Sequence, residues 1–378
     1  MRRGQAWLIG WRWVVVLTGV AVLCCLPALI SALPVSVPQL TPRELEARIL
    51  GSQRLSFSGY AESDASFGLP PLPAFSTVTP LLDGVTRMRV WQAAPDHWRV
   101  DTLSDAGEND TYQVGDNTFA WDSGEQLLTG IFGAQVIRLP RTADLMPQAL
   151  AIRLISEAGP GATFSLLPPR RVAGQGAAGL AIKLAGSQST IAQADVWANP
   201  DNGLPLLVQV FGRGSAQPAL QTQFLQAGPW TPDAAVLTPQ HGPGTGFTTT
   251  TPADFTGILQ NLDEEALPAS LAGFPRERSS VTQIGVYGTG LTTFLVLTFN
   301  RSSSTGWQIL NTALKAGATP LTFHDGRGAV ASAPLVNLVI VHSHVSHDNF
   351  LLVGLVGRAA LEQAAAVLAV KPDQDRYR

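Results

Sequence analysis

After an uncharged apolar run from Trp13 to Leu33, the chain moves between short helical stripes and long stretches patterned every second residue. Thr41-Pro42-Arg43-Glu44 has the form of a capping box with proline in the first turn, and Leu45, Ile49 and Leu50 supply an apolar stripe before Gly51. From Leu55 the period becomes two. Leu55, Phe57 and Gly59 alternate with Ser56, Ser58 and Tyr60; Met88 and Val90 with Arg87 and Arg89; Trp98 and Val100 with Arg99 and Asp101. This pattern predicts strands with one buried and one wet face. Turn signals at Gly115-Asp116-Asn117 and Asp122-Ser123-Gly124 space them like an antiparallel meander. Gly68-Leu69-Pro70-Pro71-Leu72-Pro73 reads as a stiff loop, because proline cannot donate to a central ladder.

A second helix is expected over Ala143–Glu157, with Met146, Leu150 and Leu154 on one side and Pro147 near its first turn. Strands are then expected at 163–167, 180–184, 191–198, 204–211 and 220–225, with Asn199-Pro200-Asp201-Asn202-Gly203 as a tight turn. A sheet of about ten strands with only two helices has to curl or split to cover its apolar face. It therefore leaves a concave apolar side, to be filled by a helix or by a guest molecule.

Residues 231–250 are rich in Pro, Gly and Thr and read as a linker, and a short helix is expected from Thr251-Pro252-Ala253-Asp254. Beyond it, strands at 281–287, 292–299, 321–324, 335–342 and 350–356, with helices at 306–315 and 358–370, suggest a smaller α+β domain over 251–372, its helices on one face.

Charge and composition narrow the function. Only 14% of the 378 residues are charged and the net charge is −3, against about 25% charged in average proteins. Disordered solvating chains and nucleic-acid binders, which need a basic stripe, are both disfavoured. Arg2, Arg3 and Arg12 precede the apolar run, and the 21 residues from Trp13 to Leu33 would span about 32 Å as a helix. Residues 1–12 thus read as a cytoplasmic basic segment. Residues 13–33 read as a transmembrane signal anchor or a signal peptide cleaved near Ile30-Ser31-Ala32, with everything after it exported. Cys24 and Cys25 both fall inside that run, so the exported body has neither a disulfide nor a thiol ligand or nucleophile.

Motifs for chemistry are sparse. Gly174-Gln175-Gly176-Ala177-Ala178-Gly179 matches a dinucleotide-binding string, but it is followed by a strand pattern at Leu180, Ile182 and Leu184 where that site needs a helix, so a hairpin turn is preferred. His342, His344 and His347 form the only histidine cluster, with Asp348 beside it. On a strand His342 and His344 would share a face suited to a metal, while an exposed polar hairpin tip is the preferred reading. Asp263-Glu264-Glu265 reads as a solvated helix end, and the glycosylation sequons at Asn109 and Asn300 are short enough to arise by chance. No assembled catalytic constellation is seen, and neither cofactor nor metal is expected.

Trp91, His97-Trp98-Arg99-Val100-Asp101, Gly115 through Trp121-Asp122, Trp197-Ala198-Asn199-Pro200, Gly203-Leu204-Pro205-Leu206, Val208 and Val210 together resemble the exported LolA/RseB-like superfamily of lipoprotein carriers and envelope-stress sensors. The Gly68 loop resembles its actinobacterial branch. The resemblance covers about residues 41–228, while Leu351 to Gly357 and Leu361 are similar to the second domain attached in those proteins. It implies an α+β fold: a curved, incompletely closed antiparallel half-barrel over 41–230 with helices plugging its concave face, then the smaller C-terminal domain. It implies a lipid or an acylated protein as ligand, and no catalysis. Phe57, Trp98 and Trp121 are candidates for lining the hollow, with ordinary core positions as the competing reading. The function expected is that of an exported, membrane-tethered lipid- or lipoprotein-binding protein. The alternative is an envelope-stress regulator that binds an anti-sigma factor or another membrane partner.

Overall fold

The computed structural model describes residues 13, 15–22, 35–68, 79–104, 107–133, 140–240, 242, 244–250, 267–277, 284–299 and 304–370. Residues 15–22 are helical, and among the described residues no helix is long and apolar enough to cross a membrane. The remainder of the Trp13–Leu33 run, the prolines of the Gly68 loop, the helix expected from Thr251, the acidic trio at 263–265 and the sequon at Asn300 lie outside the described residues.

Helix α1 (Pro42–Gly51) starts on the expected capping box: Glu44 N donates to Thr41 Oγ1 at 3.2 Å and Thr41 N donates to Glu44 Oε2 at 2.7 Å. It buries Leu45 and Ile49, one turn apart. A 3-10 turn (Thr142–Leu145) precedes α2 (Pro147–Ser156). The break falls at Met146 because Pro147, lacking an amide hydrogen, is suited to open a helix and not to continue one.

Twelve strands make one open sheet: β1 (Phe57–Ser66), β2 (Asp83–Ala94), β3 (His97–Ser104), β4 (Gly107–Val114), β5 (Asn117–Asp122), β6 (Leu127–Ile131), β7 (Thr163–Val172), β8 (Gln175–Lys183), β9 (Ile191–Ala198), β10 (Pro205–Gly212), β11 (Leu220–Gly228) and β12 (Gly246–Thr250). Their order is β12-β6-β5-β4-β3-β2-β1-β11-β10-β9-β8-β7, two meanders joined through β1. Among the described residues only the β12–β6 pairing is parallel. The stretch expected to be a linker therefore carries a strand, whose threonines suit an exposed sheet edge, and one helical turn at Ala234–Leu237 that buries Leu237. With β12 and β7 as free ends, the sheet curves without closing, as the half-barrel expectation required.

Direct cross-strand partners share a face, so the register sorts the side chains. Phe57, Gln92 and Trp98 form one row across β1, β2 and β3, on the side where Leu45, Ile49, Ala151 and Leu154 of the helices join Met88, Val90, Leu180, Val196, Val208 and Phe224 in the main core. Tyr60, Arg89, Asp101, Asp110 and Trp121 form a row on the other, outer face. Three buried polar side chains hold the helices on their side. Gln92 Nε2 donates to Gln53 O and Leu55 O at 3.1 and 3.0 Å, Gln148 Nε2 to Ser52 O at 2.7 Å, and Thr222 Oγ1 to Leu145 O at 2.6 Å.

The second unit adds a small hairpin, β13 (Ser270–Leu271) and β14 (Phe274–Pro275), to β15 (Ile284–Tyr287), β16 (Phe294–Phe299), β17 (Thr319–Phe323), β18 (Gly326–Ser332), β19 (Asn337–Ser343) and β20 (Asn349–Gly354), with helices α3 (Thr305–Lys315) and α4 (Arg358–Ala369). The six-stranded sheet runs β15-β16-β20-β19-β18-β17. The expectation of helices on one face is corrected. Ile309 and Leu310 of α3 meet Leu338 and Ile340, whereas Leu361, Ala364 and Leu368 of α4 meet Val339 and Val341. Alternate residues of β19 thus face different helices, and a strand apolar from Leu338 to Val341 needs cover on both sides. The Gly- and Ala-rich β18, absent from the expected strands, has weak strand propensity of its own and is placed by pairing with β17 and β19.

The two units touch through a seam that is apolar as well as polar: Leu291 and Leu335 of the second unit are buried in the main core, with Leu355 packed against it. Ser189 Oγ donates to Leu291 O at 2.7 Å, Thr190 Oγ1 to Leu335 O at 2.5 Å and Gly357 N to Gln188 O at 2.9 Å.

Candidate functional site

The helices cover the helix-side face over β1–β3 and β7–β11, where Phe57 is 1% exposed and meets Phe224 edge-on at 5.8 Å. Phe57 is thus core. The same face of β4–β6 has no member in the main core; Thr111, Gln113, Ala120, Leu127, Thr129 and Ile131 stand half-buried there, beside Trp98 at the core's margin. Its polar atoms are partly paired with each other: Thr118 Oγ1 donates to Gln113 Oε1 at 3.0 Å, and Gln113 Nε2 to Gly115 O at 2.7 Å. What remains is a half-buried band of methyl-bearing side chains beside Trp98, outside the main core. Of the three aromatic candidates, Trp98 borders this band, Phe57 lies beneath the helices and Trp121 is on the outer face. The alternation of β5 separates Trp121 from the other two.

On the outer face the sequence pattern expected solvent, and the structure places a buried ion cluster instead. Arg99 donates to both oxygens of Asp101 at 2.5 and 3.0 Å and to Asp110 Oδ2 at 2.8 Å, with Glu108 Oε1 at 3.4 Å. Its guanidinium lies between the rings of Trp91 and Tyr112, 5.3 and 4.9 Å from their centroids. The one-turn helix at 234–237 closes over it, Arg99 Nη1 reaching Val236 O at 3.4 Å. Burial raises the Asp101 and Asp110 carboxyls and the Tyr112 phenol, and Arg99 offsets part of each shift. Oxygens of Asp101, Glu108 and Asp110 lie within 4.8 Å of one another, a spacing that tolerates a cation, but Arg99 already bonds to all three acids. No signal in the alternation of Arg99 and Asp101 distinguishes them from wet-face residues; they are buried by a segment more than 130 residues away.

The glycine string is a hairpin, as expected: Val172 pairs with Gln175 across a two-residue turn with φ of 50° at Ala173 and 74° at Gly174. The exposed-tip reading of the histidine cluster is corrected. His344 and His347 are exposed, but His342, Ser343, Ser346, Asp348 and Asn349 are buried, because Ser343 Oγ donates to Ala369 O at 2.6 Å and draws the tip onto α4. His342 packs against Trp307 with ring centroids 4.6 Å apart and planes tilted by 43°.

An open twelve-stranded sheet carrying a helix pair on one face, followed by a small α+β unit, is the LolA/RseB-like fold. No protein-family model and no curated protein matches the sequence. Among solved structures, the Pseudomonas aeruginosa MucA/MucB complex aligns over 86% of this chain and 96% of the matched chain, at 17% identity and a TM-score of 0.50. The LolA superfamily protein NE2245 of Nitrosomonas europaea aligns over 53% of this chain and 99% of its own, at 13% identity and TM-score 0.24. The Mycobacterium tuberculosis lipoprotein LppX covers 51% and 97%, at 12% identity and TM-score 0.29.

Proposed function

We propose that this chain is a non-catalytic binding protein of the cell envelope that holds the acyl part of a lipid or lipidated protein in the trough on β4–β6, with its body outside the membrane and residues 13–33 as anchor or signal. The observation carrying this reading is the unequal cover of one continuous face: the helix pair stops at β3 and leaves Ala120, Leu127, Thr129 and Ile131 half-buried. Burying an acyl chain there is favourable by about 0.8 kcal/mol per CH₂ and needs no polar code. The test is native mass spectrometry of gently purified full-length protein, beside an Ala120→Arg variant. A bound lipid that is lost in the variant supports the reading; absence of lipid from the wild type, or equal lipid in both, overturns it.

A protein partner is the second reading. It is supported by the alignment over 86% of this chain with a structure that is itself a complex, MucA/MucB. Co-purification of a membrane protein such as an anti-sigma factor, retained in Ala120→Arg, would favour this regulator role over lipid carriage.

A further inference from the structure

The outer face of the β7–β11 half holds a separate cavity. β7 does not stay flat beside β8: its register breaks between Leu167 and Arg170, at Pro168-Pro169. Beyond the break β7 pairs with β8 again through Arg170↔Ala177, Arg171↔Gly176 and Val172↔Gln175, and this hairpin end bends towards β10 and β11. Trp197, two strands away on β9, donates from Nε1 to Pro168 O at 3.0 Å. Gly179 on the intervening β8 permits this approach, since a Cβ there would lie 2.8 Å from Trp197 Nε1 and 2.7 Å from Leu167 Cβ. The third glycine of the 174–179 string thus has a packing role that the hairpin turn does not explain. The Arg170 guanidinium then settles over the Trp197 ring, 3.9 Å from its centroid.

Between the folded end of β7 and strands β10 and β11 lies a cavity of about 460 Å³, within the roughly 300–1,000 Å³ of ligand pockets. Arg170, Arg171, Leu207, Gln209, Gln221 and Gln223 carry its chemistry. Among the described residues neither arginine forms an ion pair. Gln209 Nε2 donates to Gln221 Oε1 at 2.5 Å, which leaves the Gln221 NH₂ and the whole Gln223 carboxamide without a side-chain hydrogen bond. Asp195, the acid that Arg170 and Lys183 act on, is hydrogen-bonded by Gln193 Nε2 at 2.6 Å.

We propose that this cavity docks an extended acidic segment of a partner protein, its carboxylates on Arg170 and Arg171 and its backbone amides on Gln221 and Gln223. Charge complementarity selects the occupant: Arg170 and Arg171 flank the pocket with no ion pair among the described residues, while of the acids sharing this face Asp195 is held by Gln193, Glu62 pairs with Arg87, and Asp64 lies on β1, outside the pocket lining. Carboxamides both donate and accept, matching a peptide backbone. Stacking on Trp197 holds Arg170 in place before anything binds. An anionic lipid headgroup fits less well, because the acyl trough is on the opposite face of the sheet and cannot receive the tail of a headgroup held here. The preference over a headgroup rests on the acyl trough proposed above; the peptide contacts themselves do not.

The test is fluorescence anisotropy on the full chain with a labelled decapeptide of alternating aspartate and valine, a lysine–valine control peptide, and phosphatidylglycerol vesicles. The acidic peptide is expected to bind, the basic one not, and Arg171→Ala to weaken binding about tenfold or more. Arg170→Lys, which keeps the charge and loses the planar stack, should fall between wild type and Arg170→Ala. Both arginines are exposed, so circular dichroism of these variants should match wild type. Absence of acidic-peptide binding, unchanged affinity in the Arg170→Ala/Arg171→Ala double variant, or arginine-dependent binding to vesicles alone would each overturn the assignment. Ala120→Arg, in the trough, should leave peptide affinity unchanged, so a failure here is distinct from a failure of lipid binding.

Discussion

Asp101 on β3 stands directly across from Asp110 on β4, both almost fully buried, and one guanidinium, Arg99, serves the two carboxyls. Asp110 Oδ1 has no partner. Burial pushes the carboxyls up, to about 7 for Asp101 and about 6 for Asp110, with Arg99 pulling each back. The folded state therefore holds protons more tightly than the unfolded chain, whose aspartates titrate near 3.9. The stabilisation is complete below that value and is lost as pH rises through about 6 to 7. Asp110→Asn, which keeps the shape and removes one charge, should raise Tm near pH 8 and have little effect near pH 3.5. Thermal unfolding by circular dichroism across that range checks this, and an equal Tm change at both ends would refute it.

His342 predicts the opposite dependence. Burial, first, and then His344, with Arg327 and His347 as weaker contributors, hold its imidazole below the usual value. Its hydrogen-bonding atom Nδ1 has no partner, nor has either side-chain polar atom of Asn349 opposite it. Its contribution to stability is present above the unfolded pKa of about 6.5 and is lost as pH falls below it. A His342→Gln variant should therefore lose less stability than wild type between about pH 7.5 and 5.5. Urea denaturation followed by tryptophan fluorescence reads this directly, because Trp307 lies 4.6 Å from the ring. Parallel losses in both proteins would reject the role.

Gln148 joins the two helices below the sheet's apolar face, its amide on Ser52 O in a buried site. Gln148→Ala strands that carbonyl away from water and should cost about 1–3 kcal/mol. Chemical denaturation should show a lower midpoint with an unchanged slope. If the helix pair only rests on the sheet, the midpoint will not move.

Ser189 and Thr190 carry the seam between the two units through Leu291, Leu335 and Leu355. A Ser189→Ala/Thr190→Val variant retains the backbone contacts of Thr190 and Gly357 but loses both hydroxyl bonds. Limited proteolysis is expected to separate the two units faster, while each unit keeps its strand signature. Unchanged cleavage would show that backbone pairing alone fixes the seam.

Much of this was legible in the chain itself. Period-two patterning placed β2, β3 and β9, the Thr41 capping box placed α1, and the tension between a long sheet and few helices required a curled, half-covered barrel. These features are local or nearly so, because they depend on which residues sit one or two apart. The sequence could not show that Arg99 and Asp101 are buried, that Trp121 and Trp98 end on opposite faces, or that α3 and α4 cover different sides of β19. Each of these depends on register and on segments distant in the chain. The same holds for the Arg170 cavity: Pro168, Gly179 and Trp197 lie on three strands, and only the bend of the β7–β8 hairpin at Pro168-Pro169 brings a cation, an indole and three glutamines to one place. Periodicity fixes which way a side chain points from its own strand; what it then meets is decided when distant strands close the space around it.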